Sequence, residues 1–121
     1  MMIETRTVGA VVILDLAGRL ANGEGDQLLR DKVRSLVFEG HPQLVFNMAR
    51  LSYIDSTGLA AMIACYHVVT KAGGRLVLVG MTERVSNVLA ITKLLTVFDA
   101  YDSEVEAVVS FSGAKGRDTQ S

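Results

Sequence analysis

An acid, two hydroxyls and a glycine stand side by side at Asp55, Ser56, Thr57 and Gly58, directly before an apolar run. A hydroxyl in such a setting can attack a carbonyl if a base activates it, can accept a phosphoryl group, or can cap a helix. Capping is the default interpretation, because a side-chain oxygen there accepts one of the free N–H groups of the first helical turn. Three candidate caps stand where one suffices, so the segment points to a role beyond capping.

A nucleophilic serine would need partners that the sequence does not supply. The hydrolase elbow reads G-x-S-x-G, whereas Ser56 has a glycine on one side only. His67 lies well into the predicted helix, about 16 Å along the axis at about 1.5 Å per residue, which is too far from Ser56. A small hydrolase that uses Ser56 is therefore a remote alternative, and we expect the protein not to be an enzyme.

The sequence also argues against a cofactor or a metal. Residues 23–26, Gly-Glu-Gly-Asp, follow a predicted strand as a phosphate-binding loop would, but the two acids would repel a pyrophosphate. Leu28 stands where such a loop needs a third small residue. Cys65 and His67 are two positions apart on a helix, so their side chains point in different directions. We expect no cofactor and no metal site.

Composition narrows the class of protein. The chain has 121 residues, with 12 Lys+Arg against 13 Asp+Glu. It therefore has no excess of positive charge with which to bind nucleic acid or an anionic membrane. One cysteine excludes an internal disulfide and suits a reducing compartment. The chain shows neither a secretion signal nor an apolar stretch of about 18 residues for a spanning helix. We expect a cytoplasmic protein that neither contacts nucleic acid directly nor inserts into a membrane.

In some segments the apolar residues alternate with polar ones or form short apolar runs, as in strands, and in others they recur every three or four residues, as on one face of a helix. These patterns predict the secondary-structure elements. We predict strands at residues 3–9, 11–18, 43–48, 75–80 and 96–101. We predict helices at residues 24–38, 56–72, 82–90 and 103–110. This order gives an α/β fold in which about four helices cover a mixed sheet with a mostly parallel centre and an N-terminal antiparallel hairpin. Residues 1–111 form one domain, and residues 112–121 are predicted to be a disordered tail.

Residues 55–58 fall where such folds place their functional loops, beyond the C-terminal end of a predicted parallel strand. On the helix that follows, the spacing predicts one buried face, formed by Leu59, Met62, Ile63, Tyr66 and Thr70. A glycine in the first turn costs about 1 kcal/mol of helix propensity relative to alanine. We therefore expect the glycine at position 58 to serve the close approach of another backbone or of a partner.

Residues 44–80, "LVFNMARLSYIDSTGLAAMIACYHVVTKAGGRLVLVG", resemble the core of the STAS domain as found in bacterial anti-sigma-factor antagonists. The shared pattern is a strand, a short linker, "LSYIDSTGL", an amphipathic helix, "GGRL" and a second strand. The similarity extends over about residues 3–111 and includes "LAGRL" and "LLTVFDAYDS". It implies a STAS-like sheet covered by helices.

The resemblance also implies a partner-switching regulator. Ser56 occupies the position that an anti-sigma factor with serine kinase activity phosphorylates, and Thr57 is the second choice. Phosphorylation would release the anti-sigma factor, and a phosphatase would reset the switch. The implied partner surface consists of Asp55, Ser56, Thr57, Gly58 and Asn22.

The sequence departs from the family at one position near the site. Family members often read G-x-L-D after the second strand, whereas "GRLAN" has Ala21 in place of the acid, followed by Asn22. A second function class therefore stays open. It is a STAS scaffold subunit that is not phosphorylated, in a stress-signalling or lipid-transport complex, with "DSTGL" as a docking surface.

Overall fold

The fold is built on a five-stranded sheet in the order β1-β2-β3-β4-β5. A computed structural model describes residues 1–120. The strands are β1 (Met2–Val8), β2 (Val11–Leu20), β3 (Gln43–Ile54), β4 (Arg75–Val79) and β5 (Asp99–Tyr101). β1 and β2 are antiparallel and the remaining pairs are parallel, which confirms the predicted mixed sheet.

Four helices and a short 3-10 turn complete the fold. They are α1 (Asp26–Phe38), α2 (Ser56–Lys71), α3 (Glu83–Ile91), the turn Leu94–Thr96 and α4 (Glu104–Gln120). Thr82 caps α3 by accepting a hydrogen bond from the Val85 N–H, as the sequence predicts.

The helices lie on both faces of the sheet. The first three cover one face and enclose the main hydrophobic core, in which strand residues meet helix residues. This core includes Leu14, Leu20, Phe46, Leu78, Leu29, Val33, Met62, Cys65, Val85 and Leu89. α4 packs on the other face over a smaller cluster formed by Val11, Ile13, Val45, Val77, Val79 and Ala107.

β3 is longer than the sequence predicts. The prediction ends it at Met48 and treats the next residues as a linker, because Ala49 and Arg50 interrupt the apolar run. The structure continues the strand to Ile54, since Leu51 and Ile54 re-enter the core and pair with the end of β2. The register of the two strands shifts along this stretch, and such an irregularity lets a strand resume pairing after a polar break.

The predicted buried face of α2 is partly wrong. Leu59 and Met62 are buried, but Thr70 is exposed and its hydroxyl donates to the Tyr66 carbonyl oxygen at 2.9 Å. The buried stripe runs instead through Cys65 and Val69. Because α2 is apolar on several sides, more than one stripe fits the helical period.

The start of α1 and the end of α4 also differ from the prediction. α1 begins at Asp26, two residues later than predicted, after Gly25 adopts a left-handed conformation with a φ of 104°. α4 runs to Gln120 instead of ending near Ser110. Ser121 lies outside the described residues, and disorder of residues 112–121 stays a prediction. Within residues 1–120, none of the helices combines the length and apolar character that crossing a bilayer requires.

A polar network ties the start of α4 to three strands. Arg6 of β1 contacts Asp15 of β2 at 2.6 Å and Glu104 of α4 at 2.6 Å. The Asn47 side chain of β3 donates to Asp15 Oδ1 at 2.8 Å. These contacts, and above all the hydrogen bonds from Arg6, hold the pKa of Asp15 below its usual range.

We predict an acid-sensitive contribution from Asp15. A carboxylate whose pKa is lowered on folding adds stability above its unfolded pKa of about 3.9 and loses it as the pH falls through the lower folded value. Because Arg6 is 44% exposed, we expect only about 1 kcal/mol. Urea unfolding at pH 7 and at low pH should show that Asp15→Asn removes this part of the acid dependence, while Asp31→Asn on α1 retains it. Equal acid dependence in Asp15→Asn and wild type would contradict the prediction.

We predict that Leu59→Asp unfolds or severely destabilises the protein. Leu59 is 8% exposed in the main core, and a carboxylate there would lose its hydration without gaining a partner. The expected loss in free energy of unfolding is about 3 kcal/mol or more, measured by urea denaturation. Ala60→Asp is the matched control, because the neighbouring position is exposed on the same turn and should change stability little. Similar losses in both variants would show that the assigned helix face is incorrect.

Candidate functional site

The candidate site lies at the edge of the sheet where β2 and β3 end. β3 ends at Ile54, Asp55 has extended backbone angles, and α2 begins at Ser56. The Asp55 carboxylate Oδ1 accepts a hydrogen bond from the Gly58 N–H at 2.8 Å. Among the three candidate caps, Asp55 therefore performs the capping.

Asp55 also joins α2 to the loop that follows β2. Its second oxygen, Oδ2, accepts a hydrogen bond from the Asn22 backbone N–H at 3.1 Å. Its own N–H donates to the Leu20 carbonyl oxygen at 3.3 Å. The hydrogen bond from Gly58, followed by that from Asn22, lowers the pKa of the Asp55 carboxyl group. The ionised carboxylate thus holds two separate segments together.

The loop over residues 21–25 is a tight turn. Ala21 and Glu24 exchange backbone hydrogen bonds of 3.2 and 2.9 Å. The Gly23 N–H donates to the Asp26 carboxylate at 3.1 Å, and Gly23 has a φ of 77°, which favours glycine. The turn buries Ala21 and leaves Asn22 exposed beside Asp55.

Ser56 is exposed at the first position of α2, whereas Thr57 is half-buried. Because Asp55 supplies the cap, the Ser56 hydroxyl is not required to satisfy the helix terminus. The helix dipole and the free N–H groups of the first turn favour negative charge near this position. The arrangement can therefore accept an anionic modification on Ser56, or a contact from another molecule.

Gly58 is buried and serves an approach within the chain. A Cβ atom built at this position would lie 2.1 Å from the Leu20 carbonyl oxygen and 2.9 Å from its carbonyl carbon. The close approach expected at Gly58 is thus made by the backbone of β2. Any effect of Gly58 on partner binding acts through this packing, because the residue presents no side chain.

The structure thus brings together the residues that the sequence singles out, with Asp55 contacting Asn22 and Gly58 and with Ser56 and Thr57 next in the chain. Sequence reasoning missed Arg19, whose guanidinium lies 4.2 Å above the ring of Tyr53. Arg19 also contacts Glu24 at 3.6 Å. Arg19 pairs with Tyr53 just before the site. This pairing follows a register shift between β2 and β3, which the sequence alone does not reveal.

The thiol of Cys65 is a poor nucleophile, because burial raises its pKa to about 12 and so keeps it protonated at neutral pH. Its side chain lies in the main core. Over the part of the chain that the structure describes, no three His, Cys, Asp or Glu side chains converge as a metal site would require.

A family model described as the STAS domain matches residues 2–107. An anti-sigma F factor antagonist from Paenibacillus polymyxa is 23% identical over 108 residues, which cover 89% of this chain and 92% of that protein.

Solved structures show the same fold. A candidate anti-sigma factor antagonist from Thermotoga maritima has a TM-score of 0.83 and 26% identity, covering 89% of this chain and 92% of the other. The anti-sigma factor antagonist SpoIIAA in its unphosphorylated form has a TM-score of 0.70 and 19% identity, covering 92% and 97%. Its phosphorylated form has a TM-score of 0.71 and 21% identity, covering 91% and 99%. These matches confirm the resemblance and the fold predicted from the sequence.

We predict that Gly58→Ala destabilises the protein although alanine is the better helix former. The clash with the Leu20 carbonyl oxygen should outweigh about 1 kcal/mol of gained propensity and leave a net loss of about 2 kcal/mol. Urea denaturation measures this loss. Ala60→Gly, at an exposed position two residues later, is the control for propensity and should lose about 1 kcal/mol. A Gly58→Ala variant that is more stable than wild type would contradict the close approach.

Proposed function

Because this chain belongs to the STAS domain family, we propose that it is an anti-sigma factor antagonist that works by partner switching. In its unphosphorylated form it binds an anti-sigma factor that is also a serine kinase. That kinase phosphorylates Ser56, the complex separates, and a phosphatase resets the switch. The protein is thus a ligand and a substrate, not a catalyst. The relatives named as antagonists support this role.

The observation that carries the proposal is the exposed Ser56 hydroxyl beside an Asp55 that already caps the helix. Phosphorylation of Ser56 removes no hydrogen bond on which the start of α2 depends. The added phosphate lies at a helix N-terminus, where an anion is tolerated. We therefore expect the fold to survive modification. SpoIIAA resembles this chain to the same degree in both of its forms, with TM-scores of 0.70 and 0.71.

A docked partner responds differently from the fold. The phosphate adds roughly −1.5 to −2 charges at pH 7 next to the Asp55 carboxylate. A partner surface that covers Ser56 would remove this charge from water without pairing it. Such burial costs several kcal/mol, which corresponds to about 10²-fold or more in affinity. One covalent step can therefore abolish binding while the fold stays intact.

The proposed partner surface surrounds this hydroxyl. Asn22 is exposed and its backbone is held against Asp55, so the loop and the helix start present one continuous surface. Thr57 is half-buried and is the second choice of phosphate acceptor. Gly58 contributes by setting how closely α2 approaches β2.

A constitutive scaffold subunit is the second candidate function. It is favoured by Ala21, which is buried and uncharged at the position where the family pattern has an acid. In that case the same surface would dock a stress-signalling or lipid-transport partner permanently, without phosphorylation.

We predict that Ser56 is the phosphate acceptor. Protein incubated with ATP and an extract of its native cells should gain one phosphate by intact-mass analysis, and peptide mapping should place it on Ser56. Ser56→Ala should gain none, whereas the control Thr57→Ala should still be modified. Titration calorimetry against the purified anti-sigma factor should show tight binding by Ser56→Ala and about 10²-fold weaker binding by Ser56→Asp. Equal affinity for wild type, Ser56→Ala and Ser56→Asp would instead establish the scaffold function.

A further inference from the structure

One part of the sheet carries positive charge, and none of the helices over residues 1–120 covers it. α4 packs over Val11, Ile13 and Val45, towards the start of the parallel strands. Near the other end of β2 and β3, the same face presents Arg19, Arg50 and Tyr53. We call these three residues the arginine–tyrosine patch. Both arginines are exposed and Tyr53 is half-buried.

The strands hold the patch in a defined geometry. Arg19 pairs with Tyr53, and Ala17, two residues earlier, pairs with Arg50. The Arg19 guanidinium lies 4.2 Å above the Tyr53 ring, so a cation–π contact orients it before any ligand arrives. Orientation of this kind reduces the entropy that an arginine loses on binding a ligand.

The nearby acids leave much of this charge available. Arg19 contacts Glu24 at 3.6 Å, but both side chains are at least half exposed, and such pairs are weak. Asp15 is near enough to Arg50 to feel its charge, but both Asp15 oxygens already accept hydrogen bonds, from Arg6 and from Asn47. Arg50 takes part in none of the ion pairs found among the side chains that the structure describes.

The patch lies close to the candidate site along the chain. Tyr53 precedes Ser56 by three residues, so their Cα atoms are at most about 11 Å apart. A protein docked over Ser56 therefore extends readily over the end of β3 and onto the patch.

We propose that the arginine–tyrosine patch binds an acidic segment of a partner protein. Guanidinium groups bind carboxylates through paired N–H···O hydrogen bonds, and two of them on neighbouring strands suit a run of Glu or Asp side chains. The identification of that partner with the anti-sigma factor rests on the proposed function. A phosphate on Ser56 would also repel the bound acidic segment, although salt screens much of this effect at such a separation.

The test uses the full chain and a defined probe. Isotope-labelled protein is titrated with acetylated hexaglutamate amide, with hexaglutamine as the uncharged control, and chemical shifts are followed by NMR. We expect hexaglutamate to shift the Nε–Hε signals of Arg19 and Arg50 and the amide of Tyr53. Arg19→Gln/Arg50→Gln should weaken binding tenfold or more, and raised salt should weaken it in wild type. Lys32→Gln/Arg34→Gln, with the same change in charge on α1, should bind as wild type does.

Shifts spread over other basic residues, or unchanged binding by Arg19→Gln/Arg50→Gln, would overturn the proposal. If that variant fails to fold, the wild-type shift map still decides between the patch and the rest of the surface. Phosphorylation of Ser56 without peptide binding at the patch would leave the proposed function intact and refute this inference. Peptide binding at the patch in a protein that is never phosphorylated would support this inference and refute the proposed function.

Discussion

The Asp55 carboxylate is the contact on which the candidate site depends. One oxygen accepts the Gly58 N–H and starts α2, and the other accepts the Asn22 N–H and holds the loop after β2. A neutral cap such as serine could satisfy one of these groups, but the two oxygens of a carboxylate satisfy both and remain charged. The helix start and the loop therefore form one surface. Since the carboxylate does this work, the neighbouring Ser56 hydroxyl is available for another use.

The close approach of the β2 backbone to α2 also fixes the position of the helix start. Gly58 leaves room for the Leu20 carbonyl oxygen, and Leu20 also accepts the Asp55 N–H. Leu20 itself is fully buried, so the end of β2 is anchored in the core while its backbone contacts the helix start. A small change at this contact would displace Asp55 and the loop together. The position of the exposed hydroxyl is thus determined by buried backbone rather than by surface contacts.

Much of the fold could be predicted from the sequence, because its signals are local. Strand 75–80 is almost continuously apolar, and Thr82 and Gly73 mark helix ends by well-understood cap chemistry. Three features depend on packing between distant segments and could not be predicted. Residues 49–54 continue β3 only because β2 pairs with them, Thr70 is exposed because a different stripe of α2 fits the core, and Gly58 faces β2 rather than a partner. At the site, residue types indicate a cap, but only the structure shows that Asp55 provides it.

Adjacent residues at the β3–α2 junction have different roles, so one segment can serve both stability and regulation. Asp55 and Gly58 hold the loop and the helix start in place through a hydrogen bond and a close backbone approach, whereas Ser56 and Asn22 are exposed. Within α2, successive residues are rotated by about 100° around the axis, so Ser56 can be exposed while Gly58, two residues later, is buried. A modification of an outward residue changes the charge of the surface without entering the core, where the same charge would cost stability. The β3–α2 junction therefore suits a reversible switch better than the middle of either element would.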